Sequence, residues 1–185
     1  DVYKRQAYHR STRGYARFKV EQARRQNVIY AGANSGILHA IAAKDGSGYQ
    51  GGEEIWGFIP PFVAAKIPQI INPEYDKSTG GGTNPIFGVD GSPVIHDAFI
   101  RGYNFRGELE GSRSWRTLLF VPYGRGGAGF SLLDVTDPIP SGNRGPIHMV
   151  SVFNDKINNR VLVADVLGSC LLYTSDACRR HKSWG

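Results

Sequence analysis

The chain has 185 residues, a formal charge of +6 and a sequence rich in glycine (24) and aromatic residues (11%). No apolar run approaches the ~20 residues that a membrane-spanning helix needs, which excludes that class. Frequent β-branched and aromatic residues between glycine-bearing turns favour many short strands over helices.

The two ends stand apart from the rest. The first six residues, DVYKRQ, and Cys170 to Ser175, CLLYTS, resemble one frame of a transposase mosaic-end adaptor and one frame of its reverse complement. Complementary matches at opposite ends set residues 1–6 and 170–185 aside as adaptor-derived or trailing sequence. A partial domain from Ala7 to Ser169 is left, long enough for one core. Without those ends the charge falls from +6 to +3, because Asp1, Lys4 and Arg5 carry a net +1 and Asp176, Arg179, Arg180 and Lys182 a net +2. The basic pI of about 9.4 then gives little support to nucleic-acid binding. Both cysteines, Cys170 and Cys178, go with the tail, so neither a disulfide nor a thiolate zinc site is expected.

In chain order, Ala7 to Arg25 is a basic, weakly periodic lead-in with one helical turn expected at Val20 to Arg25. Asn27 to Ala33 (NVIYAGA) reads as a strand, Asn34-Ser35-Gly36 as a tight turn tolerant of positive φ, and Ile37 to Ala43 (ILHAIAA) as the antiparallel partner. After a turn at Lys44 to Gly52, Glu53 to Ile59 (EEIWGFI) is a third strand, ended by Pro60-Pro61. A short helix is expected at Pro61 to Lys66, and Gly80 to Gly82 marks a loop. Strands resume at Gly88 to Ile100 and, past a polar excursion from Arg101 to Ser114, at Trp115 to Tyr123 and Phe130 to Val135. Ile147 to Phe153 follows, and Asn159 to Val166 is expected to open a further unit.

These strands repeat in order. VIYAGANSGILHAIAAKDG stands beside LLFVPYGRGGAGFSLLDVTDP, with EEIWGFI beside IHMVSVF. A restarted meander is the mark of radial or stacked β architectures, because one such sheet cannot bury both of its faces alone. Strands such as Val28 to Ala33 carry apolar residues toward both faces, so neighbouring units are expected to cover both. The fold class expected is all-β, a quinoprotein-like β-propeller fragment of about two blades with loop insertions.

The order VIYAGANSGILHAIAA, GEEIWGFIP, VDGSPVIHDAFI, WRTLLFVPYGRGGAGFSLLDVTDP, over Asn27 to Pro138, resembles the PilC/PilY-type type IV pilus tip-associated adhesins in their C-terminal β-propeller. The resemblance implies a non-enzymatic module of a Gram-negative cell surface, pilus tip or outer membrane, supporting pilus assembly, attachment and twitching motility. The partners it implies are pilus tip or minor pilin proteins and a host or abiotic surface, with no nucleic acid and no membrane-spanning segment. Family members often bind calcium through a loop of alternating aspartates, whereas here Asp45, Asp90, Asp97, Asp134, Asp137 and Asp155 stand singly, so no cofactor is expected in this stretch. Ile41 and Ala42 stand where the family pattern carries an aromatic residue and an aspartate.

GRGGAG (residues 124–129) superficially resembles a phosphate-cradling loop, but that mechanism needs a helix immediately behind it and FSLLDV is a strand, so a hairpin turn is expected. His39 and the neighbours His96 and Asp97 offer proton-transfer or metal chemistry, with a structural role favoured. Glu53-Glu54 reads as a solvated strand start, Trp56 and Trp115 as packing anchors, and Asp90-Gly91, Asp134 and Asp137 as turn formers. Catalytic, cofactor and metal residues are therefore none. Binding is expected on the insertions Pro60 to Thr83 and Arg101 to Ser114. The alternative is a PQQ-type quinoprotein dehydrogenase, whose repeats also run strand, glycine turn, strand, GxxxW.

Overall fold

The computed structural model describes residues 13–70 and 87–165, and the backbone of 170–174. Helix α1 (Tyr15–Gln22) leads into β1 (Val28–Gly32), β2 (Leu38–Ala42) and β3 (Glu54–Phe58), and the short helices α2 (Pro61–Ala64) and α3 (Ile67–Ile70) follow. Then come β4 (Val94–Tyr103), β5 (Leu109–Pro122), β6 (Gly129–Asp134), β7 (Ile147–Asp155), β8 (Arg160–Asp165) and β9 (Cys170–Thr174). The strands form two antiparallel sheets, β1-β2-β3 and β4-β5-β6-β7-β8-β9, each in sequence order. The fold is all-β, as the composition implies. Residues 1–6, the 80–82 loop and the end of the chain after Thr174 lie outside the described residues.

The repeat is present in the hydrogen-bond register. In the first meander Val28 faces Ala42 and Gly32 faces Leu38, and in the second Leu118 faces Asp134 and Pro122 faces Phe130. In the next pair of strands Leu38 lies opposite Phe58 and Ala40 opposite Trp56, then the register slips so that Ile41 meets Glu54. Phe130 likewise lies opposite Val152 and Leu132 opposite Val150, then Leu133 meets His148 after the same slip. A β-bulge kinks and twists its strand. Bulges at equivalent places give β1-β2-β3 and β5-β6-β7 the same local shape.

Alternation then decides which face each meander buries. The first turns Leu38, Ala40 and Ala42 inward, with Tyr30, Trp56 and Phe58 beside them. The second buries the opposite set, Leu119, Val121, Tyr123, Leu133 and Val135. In register, the second meander's equivalents of the first one's buried face are Phe120, Phe130, Leu132, Asp134, Val150 and Val152. The apolar ones lie on its outward side, with Phe120 37% exposed, whereas Asp134, the counterpart of Ala42, is buried beside Arg116 and Thr136. The first meander's equivalent of buried Leu119 is Ile29, which is 54% exposed. The units therefore stack head to tail, like face never meeting like face.

Three expectations need correction. The helix lies at Tyr15–Gln22 and not at residues 20–25, because Tyr15 and Phe18 pack on Trp115 at ring distances of 4.5 and 6.4 Å. The polar excursion at 101–114 is not a loop: β4 and β5 run through it as one long hairpin turned at 104–108. Strand β8 opens no separate sheet, since the turn at 156–159 sends it straight back along β7. Ile29 on β1, 54% exposed, lies on the face for which a neighbouring unit is expected. In the expected turn Gly36 takes φ 91°, whereas Asn34 stays out of the positive region. The adaptor-like Cys170–Thr174 pairs along β8, an exposed strand edge being a template for any apolar stretch.

Candidate functional site

The segment joining the two sheets is where the glycines collect. Val89 N–H donates to the Ala33 carbonyl (3.1 Å) and Asp90 N–H to the Tyr123 carbonyl (3.1 Å), so successive residues tie down the ends of β1 and β5. The 124–129 loop lies against this segment as a 3-10 turn, Gly124–Gly126, with a strand behind it. A Cβ on Gly126 would stand 1.6 Å from the Gly88 carbonyl oxygen, and one on Gly88 2.3 Å from Gly36 Cα. Lys66 Nζ donates to the Gly126 carbonyl. The glycines are there so that three backbones can touch, and the element directly behind the loop is a strand, not a helix.

The histidines and acids are spoken for individually. His39 Nδ1 sits 3.2 Å from Glu54 Oε1, and Glu53 Oε2 accepts from Gln50 N–H at 2.6 Å. His96 and Asp97 are successive residues of β4 and so point to opposite faces. Asp97 accepts from Tyr15 Oη (2.7 Å) and Thr117 Oγ1 (2.8 Å). Asp134, 2% exposed, accepts from Thr136 N–H and Oγ1 (3.0 and 2.6 Å) and pairs with Arg116 at 3.4 Å. Arg116 also binds Glu110. Asp137 is exposed. Among the described residues no group of three His, Cys, Asp or Glu converges.

Both tryptophans pack. Trp56 lies 5.6 Å from the Tyr30 ring and donates Nε1–H to the Pro138 carbonyl (2.8 Å), pinning β3 to the turn after β6. Trp115 contacts Tyr15, Phe18 and Phe99 and donates to the Arg13 carbonyl at 3.0 Å.

What projects into water is the end of the β4–β5 hairpin. Asn104 Oδ1 accepts from the N–H groups of Arg106 (2.9 Å) and Glu108 (3.0 Å). This closes a turn that holds Phe105 52% exposed with the Arg106 guanidinium over its ring. Beside the tip a groove of about 300 Å³ runs between Phe105, Arg106 and the loop that carries Asn143 and Arg144.

No family model matches the chain. Among curated proteins, the type IV pilus biogenesis factor PilY1 of Pseudomonas aeruginosa (strain UCBPP-PA14) is 35% identical over 124 residues, 67% of this chain. A PilY1 homolog of Xylella fastidiosa is 36% identical over the same length. The chain is a PilY1-type segment. It spans 9% of the Pseudomonas relative's length and 8% of the Xylella one's. Among solved structures, the C-terminal domain of Pseudomonas aeruginosa PilY1 aligns with a TM-score of 0.43 at 24% identity, over 87% of this chain and 33% of that one.

One feature of this PilY1-type segment escaped the sequence. Tyr123 Oη, Ser131 Oγ, Ser151 Oγ and His148 Nε2 form a continuous chain at 2.8, 2.6 and 2.8 Å. Ser131 and Ser151 are fully buried and directly paired across β6 and β7. A serine–histidine contact invites a nucleophile reading, but this hydroxyl is closed off from any substrate. Burial pushes the His148 pKa below its ordinary 6.5, against the Val150 backbone and Asp165. Burial likewise raises that of Tyr123, against its serine hydrogen bonds. The signal was the inward phase of the two serines within FSLLDV and IHMVSVF.

Proposed function

We propose that this segment is a non-enzymatic part of a type IV pilus biogenesis factor, a stretch of β-propeller wall at the pilus tip or outer surface. The hairpin end at Phe105 and Arg106 contacts a minor pilin or a surface, and attachment and twitching follow from that contact. The observation carrying the reading is the head-to-tail packing of two in-register meanders in a chain similar to PilY1 proteins. Repetition of one contact is how a radial sheet array closes. A rigid wall with a projecting turn suits binding. The relatives are named as pilus biogenesis factors, and the scattered placement of His39, His96 and the aspartates lends the quinoprotein alternative no support.

The test grafts residues 13–165 into Pseudomonas aeruginosa PilY1 in place of its matching stretch. The graft is expected to restore surface pili in a strain lacking the native protein. Phe105→Ser combined with Arg106→Ser is expected to keep the pili while cutting surface attachment severalfold. A graft that makes no pili contradicts the biogenesis reading, and unchanged attachment contradicts the role of the hairpin end.

A further inference from the structure

A cavity of about 190 Å³ lies between the sheets where β1 leaves the end of the lead-in. Its floor is apolar, made by Val28, Ile95, Val135 and Pro138. Arg25, Tyr30 and Thr117 supply the polar wall, with Gln26 and Asn27 at the edge. Gln26 is occupied, since its Nε2 donates to the Lys44 carbonyl at 2.6 Å.

Arg25 is not occupied in the same way. Its Nη1 donates to Thr117 Oγ1 (2.8 Å), and among the described residues it enters no ion pair. The nearby Asp97 does not neutralise it directly, because that carboxylate takes the Thr117 and Tyr15 hydroxyl protons. A guanidinium carries five N–H donors, so most of those on this half-buried group are left without a partner among the described residues. Tyr30 stands beside it with its ring against Trp56 and its hydroxyl without a hydrogen bond among the described residues. Burial pushes the Tyr30 pKa up to about 12, partly countered by Arg25. The phenol therefore keeps its proton, and its role as donor, across the neutral range.

A spare guanidinium and an orphan phenol donor above an apolar floor complement a carboxylate on a short aliphatic stem. A water fills about 30 Å³ of liquid volume, so the cavity has room for such a group with its first carbons. We propose that this cavity is a carboxylate-binding subsite for a polypeptide partner, in which Arg25 and Tyr30 hold the two oxygens. The carboxylate comes from a chain terminus ending in a small aliphatic residue or from a glutamate side chain, and both present the same chemistry.

The test titrates the 185-residue chain, by calorimetry and by NMR of the Arg25 Nε–H, with three probes. These are N-acetylvaline for a chain terminus, N-acetylglutamate α-amide for a side chain, and N-acetylvalinamide as the uncharged control. At least one acid is expected to bind saturably, about tenfold or more tighter than the amide, and the tighter acid identifies the source. Arg25→Gln should weaken it by about tenfold, and Tyr30→Phe by a smaller factor, with far-UV circular dichroism unchanged. No saturable binding by either acid, binding of the amide as tight as that of the acids, or unchanged affinity in both variants would overturn the proposal.

Discussion

Ser131 and Ser151 face each other inside the core with their oxygens 2.6 Å apart, and neither has water to turn to. Each depends on the chain that runs from Tyr123 to His148. With His148 neutral, Ser151 donates to the ring and each hydroxyl up to Tyr123 donates to the next. A protonated ring must donate instead, which reverses the chain and leaves the Tyr123 proton without its acceptor. Ser151→Ala is therefore expected to cost about 1–3 kcal/mol in urea unfolding, since it strands buried Ser131 and half-buried His148. The pH dependence has a fixed sign. The folded His148 pKa lies below 6.5, so the unfolded chain takes up protons first. Its stabilising contribution is complete above 6.5 and is lost as pH falls through the folded value. The Tyr123 pKa is raised above 10, so its contribution is complete below 10 and is lost as pH rises through the folded value. Urea midpoints across pH should fall at both ends, and His148→Phe should flatten the acid side.

At the scale of elements, the β4–β5 hairpin is the part most changed between sequence and structure. Its middle is polar and charged, with Arg101, Arg106, Glu108, Glu110 and Arg113, and polarity on both faces hides a strand. The turn chemistry was nonetheless present: Asn104 opens it with two side-chain hydrogen bonds and Gly107 takes φ 79°. Asn104→Ala is expected to cost about 1 kcal/mol and to raise amide exchange at 100–113 while leaving β6 and β7 protected. An unchanged exchange pattern would mean that the hairpin is held by something other than its turn. The central meanders were readable because apolar alternation and glycine turns coincide there, down to Trp56 as an anchor. Arg25 and Tyr30 were not readable as neighbours across a cavity, because Val135 and Thr117, which help enclose it, come from distant strands. The bulges after Ala40 and Leu132 leave no mark in composition either, and only the pairing register shows them.

For the whole molecule, what is left uncovered matters most. Ile29 on one side and Phe120, with Phe130, Leu132 and Val150, on the other are the two unfilled halves of a contact that the meanders make once between themselves. Apolar surface in water costs about 25 cal/mol per Å². The isolated 185-residue chain is accordingly expected to self-associate, and Leu132→Asp to shift its sedimentation toward monomer. The most direct test is hydroxyl-radical footprinting of Phe120 in the isolated segment and in the Pseudomonas aeruginosa PilY1 graft. The head-to-tail account predicts that Phe120 is readily oxidised in dilute isolated chain and protected in the graft, where a following meander covers it. Equal oxidation in both would contradict it.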